Sequence, residues 1–251
     1  MTEKKPSVAM ILAAGEGRRM RPLTADRPKP LVSIGGRPIL DHALGKLKTA
    51  GIEHVVINLH YKGALIEDYL ADHTPPGMSV AFSREETVLD TGGGIKKALP
   101  LLGQDPFFAI NGDSFWIDGP SVPALDRMAA AWNPDRMDML LLLQPVDRMR
   151  LTTGIGDYDR APNGRLTLTP DHRGGFMWTS IRIVKPSVFA DTPAGPFSFL
   201  EVMDRAETAG RLYGLVHDGD WHHLSTAADV AAVNHHVFGG AGVTSSPSTK
   251  A

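Results

Sequence analysis

The sequence predicts an α/β fold in which helices cover a largely parallel sheet. Short apolar runs of strand length alternate with segments whose apolar residues recur at helical spacing. The first run, residues 8–13, is apolar throughout, which is typical of a strand buried on both faces. Strands that alternate with helices favour βαβ units with right-handed crossovers.

The predicted elements follow one another closely up to about residue 147, where the pattern loosens. Pro38 is typical of the first turn of a helix and Gly51 of its end. Thr91 is expected to cap another helix. The predicted strands are residues 8–13, 54–58, 78–83, 107–111, 137–146, 165–169, 177–184 and 212–216, and the predicted helices are residues 38–51, 64–71, 91–102, 122–131, 199–209 and 226–237.

The composition predicts a globular enzyme without disulfide or thiolate chemistry. The 251 residues include no cysteine and have a formal net charge of −2, so binding to nucleic acid or a membrane surface is not favoured. Lys4-Lys5 and the apolar residues 8–14 imitate a signal peptide, but that run leads directly into a glycine loop. No apolar run approaches the length of about 18–20 residues that spans a bilayer.

We therefore expect a cytoplasmic protein that acts on small molecules. Its length suits one domain, which we place at residues 1–238. Residues 239–251 are rich in Gly, Ser and Thr and are expected to form a disordered tail.

A loop rich in glycine and arginine follows the first predicted strand. Ligands bind at the carboxyl ends of strands in open α/β sheets. Glycine N–H groups can form a nest for phosphate oxygens, and arginines add permanent positive charge, so a triphosphate suits this loop. The glycines alone also fit a plain turn beside a solvated basic patch. The loop reads Ala13, Ala14, Gly15, Glu16, Gly17, Arg18, Arg19, Met20.

Lys29 lies between two prolines, Pro28 and Pro30. Proline fixes its own φ and pushes the preceding residue towards an extended conformation, so the backbone of Lys29 is held stiffly. A lysine that serves only solubility does not need such a backbone.

Residues 12–31 together resemble the sugar-1-phosphate nucleotidyltransferase family, through Leu-Ala-Ala-Gly-x-Gly-x-Arg-Met-x-Pro-Leu-Thr and Pro-Lys-Pro-Leu. The resemblance implies a Rossmann-like three-layer sandwich around a mixed, mostly parallel sheet, of the nucleotide-diphospho-sugar transferase type. It implies a nucleotide-binding half at about residues 1–146 and a sugar-binding half at about 147–238. Arg19 and Lys29 match the family's catalytic basic pair, and the rest of the loop from Ala13 to Met20 matches its nucleotide contacts.

A second glycine cluster, Leu-Asp-Thr-Gly-Gly-Gly-Ile at residues 89–95, opens a predicted helix. Exposed N–H groups there could bind a base edge, or the glycines could serve only a tight turn. The segment resembles the uridylyltransferases that act on N-acetylmuramate 1-phosphate, with Asp90 in place of the usual Glu. That resemblance implies that Gly92 and Gly93 contact the base.

Further resemblances concern the metal and the sugar. Asp113 ends an apolar strand, where it could cap a turn or bind Mg²⁺, and the family match makes it a nucleotide contact and the first metal ligand. Residues 154–157, with Gly156 and Asp157, resemble the family's sugar loop. Trp178 and Ser180 match a sugar-binding strand in which Ser180 replaces a glycine. Trp178 also fits simple core packing.

The chain departs from the family at His223. Members usually carry Trp-x-Asp-Ile/Val-Gly-Thr, whose Asp is the second metal ligand, whereas this chain reads Trp-His-His-Leu-Ser-Thr at residues 221–226. Asp218 and Asp220 lie at odd offsets from position 223, so on a strand they face the other way. The enzyme could use one carboxylate with phosphate oxygens, prefer Mn²⁺ to Mg²⁺ through His223, or have lost activity and only bind nucleotide.

The implied reaction transfers a nucleotidyl group from a nucleoside triphosphate, with UTP favoured, to a sugar 1-phosphate, with N-acetylmuramate 1-phosphate favoured. Alternatives within the family are mannose- or glucose-1-phosphate nucleotidyltransferases, including guanylyl- and cytidylyltransferases. Two alternatives lie outside the family: a non-catalytic nucleotide-binding protein and, more distantly, a glycosyltransferase.

Overall fold

A computed structural model describes residues 5–151 and 156–239. Each predicted strand and helix is present there, with ends that differ by at most two residues. The strands are β1 Val8–Leu12, β2 Ser33–Ile34, β3 Arg37–Pro38, β4 His54–Leu59, β5 Ser79–Arg84, β6 Phe107–Asn111, β7 Ser114–Ile117, β8 Met139–Pro145, β9 Tyr158–Arg160, β10 Leu166–Leu168, β11 Phe176–Val184, β12 Leu212–Val216 and β13 Asp220–His223. The helices are α1 Ile39–Thr49, α2 Gly63–His73, α3 Asp90–Leu102, α4 Ala124–Ala131, α5 Leu200–Thr208 and α6 Ala227–Phe238.

A nine-stranded sheet forms the centre of the fold. Its order is β10-β9-β11-β6-β1-β4-β5, and β8 pairs with β11 and with β12. β1 is parallel to β4 and β6, and β4 is parallel to β5. β11 is antiparallel to β6, β8 and β9, and β10 is antiparallel to β9. The sheet is therefore mixed and mostly parallel, as expected, because only β10 and β11 run against the other strands.

Helices cover both faces of this sheet. Alternate residues of a strand point to opposite faces, so Ile11 and Val55 pack with α1, α2 and α4. Met10 and Val56 pack on the other face, with α3 and α5. A third cluster joins α6 to Met20 and to the segment between β1 and α1. The layers are helix, sheet and helix.

Two short ladders lie outside the main sheet. β2 pairs with β3, and β7 pairs with β13 in antiparallel register, with Ser114 opposite His223. The second ladder brings the chain near residue 223 back to the end of β6. None of the helices described above combines the length and the hydropathy that a membrane span requires.

The start of α3 differs from the prediction. Leu89 occupies the N-cap position, and Thr91 lies inside the helix. The Thr91 hydroxyl instead accepts a hydrogen bond from the N–H of Phe199 at 3.0 Å. Thr91 therefore joins α3 to the segment that enters α5. The predicted tail, residues 239–251, lies outside the described residues except for Gly239.

Candidate functional site

A cavity of about 330 Å³ opens where β1, β4 and β6 end. These parallel strands point their carboxyl ends to the same edge of the sheet, which is where ligands bind in such folds. Six parts of the chain form the wall: the loop after β1, the turn at Lys29, the end of β4, the segment that leads into the start of α3, the end of β6, and Ser225 before α6. The lining residues are Leu12, Ala13, Ala14, Gly15, Gly17, Arg18, Arg19, Lys29, Pro30, Asn58, Glu85, Val88, Asp90, Thr91, Asn111, Gly112, Asp113 and Ser225.

The glycine loop has the open backbone that the sequence predicts. A Cβ added at Gly15 would meet nothing within 4 Å. Gly17 has a φ of +61°, and its carbonyl accepts the hydroxyl of Thr24 at 2.8 Å. A side chain at Gly17 would come within 3.0 Å of Thr24 and 3.2 Å of Lys29. The loop therefore needs glycine at position 17 to pass close to Lys29.

Not every residue of this loop faces the cavity. Met20 is fully buried and packs in the cluster around α6, so the structure shows a packing role for its side chain, and a nucleotide contact stays a prediction. Glu16 is not among the lining residues. It pairs with Arg18 at 2.6 Å, and that hydrogen bond lowers the pKa of the Glu16 carboxyl. Glu16 thus orients Arg18 rather than lining the cavity itself.

Lys29 and Asp113 form an ion pair on the cavity wall. The ammonium of Lys29 donates to Asp113 Oδ2 at 2.5 Å. Lys29 stands in a short 3₁₀ turn that begins after Pro28, and the Val32 N–H closes this turn on the Lys29 carbonyl at 3.0 Å. Asp113 follows the last residue of β6 by two positions. The predicted catalytic lysine and the predicted metal ligand are therefore in direct contact, and Arg19 lines the same cavity.

His223 belongs to this charged group through the β7–β13 ladder. It stands opposite Ser114, the residue after Asp113. Burial lowers the pKa of His223 below its ordinary value; the carboxylate of Asp113 opposes this, and the charges of Lys29 and Arg19 add to it. The imidazole is therefore neutral at pH 7 and keeps a nitrogen lone pair.

The neighbouring aspartates do not replace the missing carboxylate. Asp218 pairs with Arg127 at 2.5 Å and accepts a hydrogen bond from Ser121. Asp220 is exposed at the other end of the ladder, opposite Ile117. Three strand residues correspond to about 10 Å, so Asp220 is far from the Asp113 end. This agrees with the prediction from strand alternation.

Two polar residues in the wall of the cavity were missed by the sequence reasoning. Asn58 and Glu85 are 2% and 5% exposed. Asn58 Oδ1 accepts the N–H of Ala13 at 2.8 Å, and its amide donates to Glu85 at 2.7 Å. The other oxygen of Glu85 accepts the N–H of Leu89 at 3.0 Å. This network ties the glycine loop to the segment before α3. The sequence feature that could have indicated this network is the position of Asn58, a polar residue near the end of an apolar strand. Asn111 has the same kind of position at the end of β6.

Gly92 and Gly93 pack closely against the chain that leads to α5, and their contact with the base stays a prediction. Neither lines the cavity, and the N–H groups of both already donate to the carbonyl of Phe197, at 3.0 and 3.2 Å. A Cβ at Gly92 would lie 2.3 Å from the Phe197 ring, and one at Gly93 would lie 2.3 Å from the carbonyl of Gly195. The glycines let α3 approach the chain that leads to α5. Asp90 and Thr91 line the cavity in their place.

None of the predicted sugar residues lines this cavity. Residues 154 and 155 lie outside the described ranges. Gly156 accepts the N–H of Gly174, and Asp157 Oδ2 accepts the N–H of Trp178 at 3.0 Å. Trp178 is partly buried, and its ring stacks on Phe199 with centroids 6.3 Å apart. Ser180 has a left-handed φ of +65°. A serine there takes the backbone conformation that a glycine would adopt freely.

Known proteins resemble this chain in sequence and in fold. A family model described as nucleotidyl transferase matches residues 8–149. N-acetylmuramate alpha-1-phosphate uridylyltransferase of Caulobacter vibrioides is 40% identical over 231 residues, which covers 87% of this chain and 92% of the relative. The protein of the same description from Neisseria meningitidis is 34% identical over 220 residues, covering 87% and 93%. UDP-glucose pyrophosphorylase from Acinetobacter baumannii has a similar fold, with a TM-score of 0.75, 19% identity and coverage of 92% and 93%.

Proposed function

The chain belongs to the nucleotidyl transferase family, and from that premise we propose that it transfers a uridylyl group from UTP to N-acetylmuramate 1-phosphate. The product pair is a UDP-sugar and pyrophosphate. The observation that carries this proposal is the meeting of Arg19, Lys29 and Asp113 in one cavity at the carboxyl edge of the sheet. Relatives whose names contain this reaction, matched over most of their length, support the choice of base and sugar.

The proposed step is an in-line displacement at phosphorus. A phosphate oxygen of the sugar 1-phosphate attacks the α-phosphorus of UTP, and the bond from that phosphorus to the bridging oxygen of pyrophosphate breaks. A phosphate monoester has a second pKa of about 6, so the nucleophile is already ionised at neutral pH. No general base is needed, and catalysis rests on positioning and on neutralising charge.

The residues of the cavity suit those two tasks. The open backbone at Gly15 and Gly17 lets phosphate oxygens approach the chain closely. Arg19 would hold the triphosphate. The ammonium of Lys29, on its short turn, would neutralise the negative charge that develops at the α-phosphorus, and the hydrogen bond from the Ala13 N–H to Asn58 holds the start of the loop.

The donor set fits a divalent cation that also binds substrate. Among the described residues, no group of three or more His, Cys, Asp or Glu side chains could hold a metal ion. Mg²⁺ is commonly bound by one or two carboxylates together with substrate phosphates and water, which Asp113 can satisfy. The neutral imidazole of His223 would be a second donor, one that suits Mn²⁺ better than Mg²⁺. The cation would neutralise phosphate charge when bound.

N-acetylmuramate is a sugar of peptidoglycan, so the proposed reaction belongs to the recycling of cell-wall sugar in the cytoplasm, where UTP is available. One observation favours a second candidate function. His223 takes the place of a carboxylate, and a relative that binds nucleotide with reduced turnover would carry such a change.

The test is pyrophosphate release by the purified chain. UTP is offered with a panel of sugar 1-phosphates, once with Mg²⁺ and once with Mn²⁺, and GTP, CTP and dTTP are then offered in place of UTP. We expect release with UTP and N-acetylmuramate 1-phosphate. Release only with GTP and mannose 1-phosphate would show that the chain catalyses another reaction of its family. Nucleotide binding without release under any condition would support the impaired relative.

A matched pair of variants ties the activity to the cavity. Asp113 and Asp118 each accept a lysine ammonium, at 2.5 Å from Lys29 and 2.6 Å from Lys46. Only Asp113 lines the cavity. Asp113→Asn is expected to abolish most release, whereas Asp118→Asn keeps it. Equal activity in the two variants would contradict a role of Asp113 in the reaction.

A further inference from the structure

Arg182 is a fully buried arginine with most of its hydrogen-bonding capacity unused. It lies on β11 and is 0% exposed. Nη1 donates to Asn111 Oδ1 at 3.1 Å and to the carbonyl of Ser180 at 3.2 Å. Nε and Nη2 have no partner among the described residues. These two nitrogens form one edge of the guanidinium plane, the edge that binds a carboxylate through two parallel hydrogen bonds.

No carboxylate in the described part of the chain forms an ion pair with Arg182. Burial lowers the pKa of Arg182 to about 9, so the side chain remains charged at pH 7. The rings of Phe199 and Trp178 lie 4.2 and 5.1 Å from the guanidinium carbon and offset part of the loss of water. A buried charge without a counter-ion is strongly unfavourable, so an anionic partner would complete the site.

The sheet register places Arg182 at one end of the functional edge. Asn58 pairs with Leu12, and Leu12 pairs with Asn111, so these side chains share one face of the sheet. Arg182 pairs with Ala109 on the same strand as Asn111 and bonds to Asn111 itself. The guanidinium therefore continues the row from the nucleotide cavity towards β11, away from Asn58.

The strand that carries Arg182 is irregular next to this residue. The register of β11 against β8 shifts between Trp178 and Arg182. Ser180, within that shift, has its left-handed φ. Trp178 is only partly buried and lies beside the guanidinium. Trp178 is therefore the less buried of the two aromatic rings that lie against the guanidinium.

We propose that Arg182 recognises a carboxylate on the sugar substrate, through Nε and Nη2. This rests on the proposed function and deepens it, because N-acetylmuramate carries a lactyl ether carboxylate that N-acetylglucosamine lacks. Arg182 is then a specificity-determining residue. It selects the acidic sugar at the end of the edge, while Asn111 joins it to the nucleotide cavity.

The test compares two sugars that differ in that carboxylate. Steady-state kcat/KM is measured with UTP and either N-acetylmuramate 1-phosphate or N-acetylglucosamine 1-phosphate, for the wild type, Arg182→Met and Arg182→Lys. Loss of a charge-assisted bidentate pair predicts a fall of about 10- to 100-fold for the muramate in Arg182→Met. The change for the glucosamine should stay within about threefold. Arg182→Lys keeps the charge without the fork and should recover part of the loss.

The possible outcomes distinguish a failure of this inference from a failure of the proposed function. Equal falls for both sugars would overturn the inference, since Arg182 would then serve the shared phosphate or hold Asn111 in place. An unchanged preference for the muramate would overturn it as well. A wild type that uses neither sugar would refute the proposed function, and the inference with it. Arg84→Met, at an exposed arginine paired with Glu67, is the control for removing an arginine, and melting temperatures show that each variant is folded.

Discussion

Replacing Lys29 by methionine tests the arrangement of the cavity directly. The Lys29 ammonium lies 2.5 Å from Asp113, and the two side chains are 13% and 26% exposed. Methionine keeps most of the apolar stem of lysine and removes the charge. The substitution therefore leaves the turn after Pro28 filled while Asp113 loses its cationic partner.

The change has two consequences of different size. Because both groups of the pair are partly exposed, its loss lowers the free energy of unfolding by at most about 1 kcal/mol. For a chain of this size, that corresponds to a fall of about 2–4 °C in the melting temperature. The loss of a fixed charge beside the reacting phosphate raises the barrier by about 2.7–4 kcal/mol, which lowers kcat by about 10²- to 10³-fold.

The assay is pyrophosphate release at saturating UTP and sugar phosphate, with the melting temperature measured on the same samples. Lys97→Met is the control, because Lys97 is exposed on α3 and its ammonium reaches the carbonyl of Arg84 outside the cavity. We expect it to turn over as the wild type does. A Lys29→Met enzyme within about threefold of the wild-type kcat would refute the role given to this charge.

Three further predictions concern packing, pH and the metal. Gly92→Ala should lower the free energy of unfolding by about 1–3 kcal/mol, because its methyl group would overlap the Phe197 ring. Gly45→Ala, in an open position of α1, is the control and should raise the free energy of unfolding by up to about 1 kcal/mol. Similar denaturant midpoints for the two variants would contradict the packing role of Gly92. Burial lowers the pKa of His217, so the unfolded chain binds a proton first as the pH falls. Stability is therefore fully present above the ordinary histidine pKa of about 6.5 and falls below it, by at most about 1.4 kcal/mol per pH unit, and His217→Gln should flatten the melting temperature between pH 7 and 5. His223→Asp should raise activity with Mg²⁺ relative to Mn²⁺, and an unchanged ratio in the release assay would exclude His223 as a metal ligand.

Local patterns in the sequence were sufficient to predict the elements and one wall of the cavity. The apolar run of β1, the glycines at 15 and 17 and the prolines around Lys29 each act over a few residues, and each can be interpreted without the fold. The bond between Asn58 and Glu85 joins residues 27 positions apart and exists only because β4 pairs with β5. No local pattern indicates such a partner.

The three glycines of α3 show a different limit. Glycine permits close approach, but a sequence does not say what approaches. At Gly92 the neighbour is Phe197 of the same chain. At Gly94 a Cβ would lie 2.8 Å from Asn58 and 2.8 Å from Glu85. The cluster thus packs behind the wall of the cavity, and its predicted contact with the base stays a prediction.

The sequence did not indicate Arg182 because it does not show which parts of the fold cover this residue. In the sequence, an arginine between Ile181 and Ile183 is typical of a strand with one face in solvent. A solvent-facing arginine on such a strand does not suggest a binding role. β11 instead lies between β6 and β8, and α5 covers the face to which Arg182 points. Its charge then stands in the interior, held to Asn111 at the edge where nucleotide chemistry is proposed. A buried cation whose carboxylate-binding edge is unpaired within the described chain is unfavourable by itself, and a carboxylate on the second substrate would supply the missing counter-ion.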